Sequence, residues 1–249
     1  MKLRSAIVAG LIGFGGAIAA RANWATVNGH RLYYERHGAG QPLVLLHGGG
    51  NSIAGSFRHQ IADFSAAHEV IGIEQVGQGH SPDVPGPLTY GGMAEDTASL
   101  LRQLNVTHAD IVGWSDGGII GLVLAVRYPD LVRRLVVSGA NVDPLSTDPA
   151  SARDLEHPQP GASPLDEKLR VLWLDSPKPT ELTFDLLHRI KIPVLVMSGD
   201  RDAITLDETI KIYRALPHAE LWVLPNTGHA TFNTRPDWVN PRVLEFLDQ

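Results

Sequence analysis

The chain has 249 residues, enough for one sizeable hydrophobic core, and 43% hydrophobic with 19% charged residues is ordinary for a globular protein. A formal net charge of −6 without Lys/Arg clusters argues against nucleic acid or anionic lipid as a partner. The absence of cysteine excludes disulfides and a lipoprotein anchor.

Residues 1–22 read as a secretory signal peptide. Lys2 and Arg4 form a basic start, Ala6 to Ala20 carries no charge, and Ala20-Arg21-Ala22 is a small-x-small cleavage site. The run is too short and too rich in Gly and Ala for a membrane span. The expectation is an exported protein, periplasmic or secreted, with a mature chain of residues 23–249 and no stable membrane insertion. An uncleaved N-terminal anchor is the alternative. Cleavage removes three basic residues and no acid, which moves the formal charge from −6 to −9.

Beyond that, Ala25-Thr26-Val27 and Arg31 to Tyr34 flank Asn28-Gly29, a pair that supplies positive φ for a hairpin turn. Pro42 to Leu46 is a continuous apolar run, the mark of a strand buried on both faces, and it ends at His47-Gly48-Gly49-Gly50. The spacing of Phe57, Ile61 and Phe64 predicts a helix over Ser56 to Ala67. A strand over Glu69 to Ile73, a turn-rich loop over Gly77 to Pro82 and a helix over Met93 to Leu104 follow. Ala109 to Gly113 then reads as a buried strand, Gly118 to Tyr128 as a helix stopped by Pro129, and Val132 to Ser138 as a further strand.

Periodicity vanishes from residue 141 to about 180, a stretch with seven prolines. It resumes with a strand over Pro193 to Ser198, a helix over Leu206 to Leu216, a strand over Ala219 to Leu224 and a helix over Val239 to Leu247. Strands alternating with helices predict an α/β fold: a mostly parallel open sheet flanked by helices, in one domain. The aperiodic stretch reads as a small cap insert after strand six, at about 141–185.

Gly113-Trp114-Ser115-Asp116-Gly117 fits G-x-S-x-G, in which a serine sits on a sharp strand-to-helix turn and projects its Oγ from the sheet edge. Serine is a weak nucleophile and needs a base beside it. Histidine suits that task, and a carboxylate must hold the imidazole in the right tautomer. Strand ends supply both, in Gly199-Asp200-Arg201-Asp202 and in Gly228-His229, and the order Ser, Asp, His is the one this motif predicts. Asp200 or Asp143 could serve as the acid instead.

These segments resemble the α/β-hydrolase superfamily along nearly the whole chain after the leader. The strand-three motif is His47-Gly48-Gly49-Gly50. The loop usually written D-x-x-G-x-G-x-S runs from Glu74 to Ser81, with Glu74 replacing the usual Asp in support of the loop. The resemblance implies a triad of Ser115, Asp202 and His229. It also implies an oxyanion hole from the N–H groups of Asp116 and Gly49, with Gly50 the alternative to Gly49. His47 is expected to order that loop. The Asp116 side chain is read as a carboxylate facing water at a helix start.

Trp114 and Trp173 are expected to line the substrate pocket. The cap's Leu155, Leu165, Leu169, Val171, Leu172 and Leu174 either roof that pocket or pack on the sheet. No metal-ligand spacing and no complete dinucleotide fingerprint are present, so no cofactor is expected. Serine at the elbow speaks against the superfamily's carboxylate-nucleophile enzymes. The resemblance implies a serine hydrolase acting on a small-molecule ester, short- to medium-chain or a lactone. A carbon–carbon bond hydrolase or enol-lactonase and a slow-turnover small-molecule receptor are the alternatives.

Overall fold

The computed structural model describes residues 21–157 and 160–249. Its strands are β1 (Arg21–Val27), β2 (His30–His37), β3 (Gln41–Leu46), β4 (His68–Glu74), β5 (Ala109–Trp114), β6 (Val132–Ser138), β7 (Val194–Gly199) and β8 (Ala219–Leu224). Among the described residues they form one eight-stranded sheet in the order β1-β2-β4-β3-β5-β6-β7-β8. β2 is antiparallel to both β1 and β4, and every other pair is parallel.

The apolar run of β3 shows why both faces are covered. Val44 and Leu46 enter one hydrophobic cluster, and Leu43 and Leu45 enter the other. Helices α1 (Ile53–Phe57), α2 (Ile61–Phe64), α9 (Thr231–Thr234) and α10 (Pro236–Leu247) pack on the second face through Phe57, Phe64, Phe232 and Phe246. Helices α3 (Tyr90–Gln103), α4 (Asp116–Arg127), α7 (Phe184–Leu187) and α8 (Leu206–Ala215) pack on the first. Parallel pairing brings the carboxyl ends of β3, β5, β6 and β7 to one edge, where ligands bind in such sheets.

Two departures from the predicted elements have local causes. The helix expected over Ser56 to Ala67 is divided into α1 and α2. It starts early because Ser52 caps Gly55, and it breaks near Gln60, whose buried amide turns to the Phe232 carbonyl and to Asn240. The aperiodic stretch after β6 also contains two helices, α5 (Pro149–Glu156) and α6 (Pro164–Asp175). Both begin with proline at the first helical position. Asp148 caps α5, and a reciprocal Ser163–Asp166 capping box opens α6. Two of the seven prolines in this stretch, Pro149 and Pro164, are thus helix starts.

The boundary expected after Ala22 falls inside β1, where Arg21 and Ala22 pair with Arg36 and Glu35. The rest of the expected leader, residues 1–20, lies outside the described residues. No helix among the described residues is long and apolar enough to cross a membrane.

Candidate active site

β5 runs into α4 through Ser115, whose φ of 55° and ψ of −121° are strained for a side chain other than glycine. Crowding explains the flanking glycines. A Cβ on Gly113 would lie 2.3 Å from the Gly117 carbonyl oxygen, and one on Gly117 would lie 1.9 Å from that of Leu46. The elbow is pinned to β6 by the Ser115 N–H, which donates to Ser138 O at 2.8 Å.

The Ser115 Oγ stands 2.9 Å from His229 Nε2, and His229 Nδ1 stands 2.6 Å from Asp202 Oδ1. The carboxylate must accept from Nδ1–H, so Nε2 is free to take the serine proton. The Asp202 side chain is buried, and it is held further by the Ile204 N–H at 2.9 Å and the Ser198 hydroxyl at 3.3 Å. The two rival acids do other work. Asp200 accepts the N–H of Thr227 at 3.0 Å and that of Asn226, bonds that pull its carboxyl below the usual range and tie down the loop before His229. Asp143 caps its own turn at Leu145.

Among Gly48 to Gly50, two N–H groups are taken. Gly48 donates to Ser56 Oγ at 3.3 Å and Gly50 to Gln78 Oε1 at 2.7 Å, and Gly49 lines the cavity beside Ser115. The Asp116 N–H, at the first residue of α4, has no carbonyl within the helix to bond. His47 braces this loop. It accepts the Gln75 N–H at Nε2, so its proton sits on Nδ1 and is donated to Gly48 O at 2.8 Å. Full burial lowers its pKa and keeps it neutral. Glu74 accepts from Ile53 N–H and from His80, which is the loop support expected of it.

The Asp116 side chain differs from its expectation as a solvated helix-start carboxylate. It is only 4% exposed, because the cap and α3 close over it. The Tyr90 hydroxyl donates to it at 2.9 Å, and Trp173 Nε1 donates at 3.0 and 3.1 Å. Burial raises its pKa, opposed by the donors Trp173 and Tyr90 and by the nearby His229. Sequence alone missed Tyr90 entirely. The available signal was an acid planted at the head of a helix that is apolar as far as Arg127.

Gly49, Ser115, Asp116 and His229 open on a cavity of about 460 Å³, in the usual range for a small-molecule site. Trp173, Leu155, Ile204 and Tyr90 supply apolar wall, and Asn141, Thr147, Ser151 and Asp154 supply polar wall. A second cleft of about 540 Å³ adjoins it under the cap and shares Gly49, Asp154, Leu155 and Trp173. Trp173 lines the cavity as expected, whereas Trp114 is not among its lining residues. Its indole packs with the cluster on the other face and donates to His229 O at 2.8 Å, steadying the histidine loop from behind. Leu169 and Leu172 of the cap turn into the core, and Val171 is left exposed.

A family model described as alpha/beta hydrolase fold matches residues 41–171, more than half of the chain. The chain belongs to the α/β-hydrolase fold family. Among proteins similar to this α/β hydrolase is RutD of Azorhizobium caulinodans, which is assigned to carbamate hydrolysis. It is 42% identical over 43% of this chain and 40% of its own length. The human serine hydrolase BPHL is 27% identical over 89% of this chain and 84% of its own. The enol-lactonase of Burkholderia xenovorans LB400 superposes with a TM-score of 0.77 at 21% identity, covering 91% of this chain and all of that one. These relatives are named as hydrolases, in keeping with a hydrolase of the α/β fold. They overturn the expectation of a periplasmic or secreted enzyme, since the similarity is to hydrolases named for carbamates and other small compounds.

Proposed function

We propose that this α/β hydrolase cleaves carboxylic esters, short- to medium-chain or lactone, through an acyl-enzyme on Ser115. The observation that carries this reading is the unbroken line from Ser115 Oγ through His229 to the buried Asp202 carboxylate, opening on a cavity of about 460 Å³. Ser115 attacks the carbonyl carbon while His229 Nε2 takes its proton. The N–H groups of Gly49 and Asp116 receive the oxyanion. As the tetrahedral species collapses, His229 returns the proton to the departing alcohol, and water then repeats the sequence to release the acid.

Cavity charge narrows the substrate. Its lining includes the carboxylates of Asp116 and Asp154 and, among the described residues, no Lys or Arg. In a site of low dielectric, like charges repel strongly, so an anionic substrate is disfavoured and an uncharged or cationic ester is favoured. That puts carbon–carbon bond cleavage of anionic dienoates second. The segment from 141 to about 185, with α5 and α6, acts as the cap of a single catalytic domain. Its two adjoining clefts offer room for both halves of an ester.

The test is initial rates of the full-length chain on p-nitrophenyl esters from acetyl to dodecanoyl, beside Ser115→Ala. Many turnovers, lost in the variant and declining beyond medium chains, are expected. A flat response from a protein whose Ser115 still reacts with a fluorophosphonate would refute the ester assignment while leaving a competent nucleophile.

A further inference from the structure

Asp202 stands on a loop that is stitched to a second loop, the one leaving β6. Thr147 and Ile204 form an isolated antiparallel bridge. The Asp148 N–H donates to Ala203 O at 2.8 Å, and the Thr205 N–H donates to Ser146 O at 2.9 Å. Tolerances are small here. A Cβ on Gly139, where the β6 loop begins, would fall 2.8 Å from His229 Cε1 and 3.2 Å from Asp202 Oδ2. Asn141, Pro144 and Thr147 of the same loop line the cavity.

The near end of that loop is held by one side chain. Glu208, in the first turn of α8, accepts the N–H groups of Val142 at 2.8 Å and Asp143 at 2.9 Å, both on Oε1. Its side chain is fully buried, Oε2 makes no hydrogen bond, and the nearest cation, Lys211 Nζ, is 3.9 Å away. A buried carboxylate with one oxygen unpaired is costly, and an apolar residue would fill the space more cheaply. The two N–H groups would then be the orphans.

We infer that Glu208 is a positioning residue: by gripping residues 142 and 143 from the helix that begins just after Asp202, it closes the two loops into one frame and sets the Asp202–His229 distance. This rests on the reading of Ser115, His229 and Asp202 as a triad. Closure is plain in the order of attachments. The β6 loop is bound to the Asp202 segment at 146–148 by backbone bonds and at 142–143 by Glu208, and the segment between these points forms cavity wall.

Glu208→Asp, Glu208→Gln and wild type, each titrated with a fluorophosphonate so that rates refer to active sites, test the assignment. Aspartate keeps the charge and withdraws the acceptor by one methylene. Glutamine keeps an oxygen at the same reach without the charge. Glu208→Asp should lose about tenfold or more in kcat with little change in KM, because small misplacements near the chemistry are expensive. The charged groups facing His229 are Asp202 behind it and Asp116 across the cavity. A loosened Asp202 holds the imidazolium less well, so the acid limb of kcat/KM should move to lower pH. Glu208→Gln should restore both. An unchanged rate and acid limb in Glu208→Asp would overturn the inference, and so would a Glu208→Gln as impaired as Glu208→Asp, which would assign the effect to charge. Failure of wild type itself to react with the fluorophosphonate would instead bring down the triad reading beneath it.

Discussion

Trp173 on α6 and Asp116 at the head of α4 are joined by a part-buried hydrogen bond, indole Nε1 donating to both carboxylate oxygens at 3.0 and 3.1 Å. Helix α6 is thereby tied to the first residue of α4. Gly49 fits only because it has no side chain there, since a Cβ would sit 2.3 Å from Asp116 Oδ2 and 2.8 Å from Trp173 Cζ2.

Removing the indole donor should therefore loosen the cap. Trp173→Phe leaves Asp116 with the Tyr90 hydroxyl alone, and a hydrogen bond to a charged group contributes about 1.5–3 kcal/mol. Urea unfolding should show that loss with an unchanged slope. Steady-state kinetics should show KM rising more than kcat falls.

Asp116 also predicts a pH signature. Burial raises its folded-state pKa above the ordinary carboxylate value of the unfolded chain. Below that ordinary value both states are protonated and the full contribution is present. As pH rises the unfolded state ionises first, so stability is lost until the pH passes the raised folded value. Asp116→Asn does not titrate. The difference in unfolding free energy between wild type and Asp116→Asn should shift against wild type across that window and stay level above it. A difference that is flat throughout would contradict the raised pKa.

The two aspartates of the β7 loop should separate cleanly. Asp202→Asn leaves the geometry in place with the wrong tautomer on His229 and should reduce kcat by about 10⁴-fold. Asp200→Asn keeps an oxygen for the Thr227 N–H and should leave the rate close to wild type. Comparable losses from both would mean that the acid is not uniquely Asp202.

Gly49→Ala must push the Asp116–Trp173 pair aside. Losing the alignment of one oxyanion donor should lower kcat by about 10²-fold, and overpacking should cost about 1–3 kcal/mol of stability. Active-site titration with a fluorophosphonate would check that Ser115 remains reachable.

Much of this was written in local patterns. The continuous apolar run of Pro42 to Leu46 implied a strand covered on both faces, and β3 divides its residues between two cores. The G-x-S-x-G crowding at Ser115, the Ser–Asp–His order and the strand-end positions of Gly49, Asp202 and His229 are sequence-local because turns and strand ends are set by a few neighbouring residues. Helices α5 and α6 were hidden because proline at a first helical position has the same letter as proline that stops a helix.

Contacts between distant segments were decided only in three dimensions. Whether Asp116 met water or a roof depended on Tyr90 and on Trp173, which lies 57 positions along the chain. Whether Trp114 faced substrate or supported His229 depended on which face of the sheet its loop turned to. The Gly50 N–H found its acceptor in Gln78, 28 residues further along the chain. The sequence by itself determined the sheet and the elbow, because each follows from local periodicity and backbone sterics. The tertiary structure alone decided which polar groups are buried and who their partners are, because burial and partnership are properties of packing between remote segments.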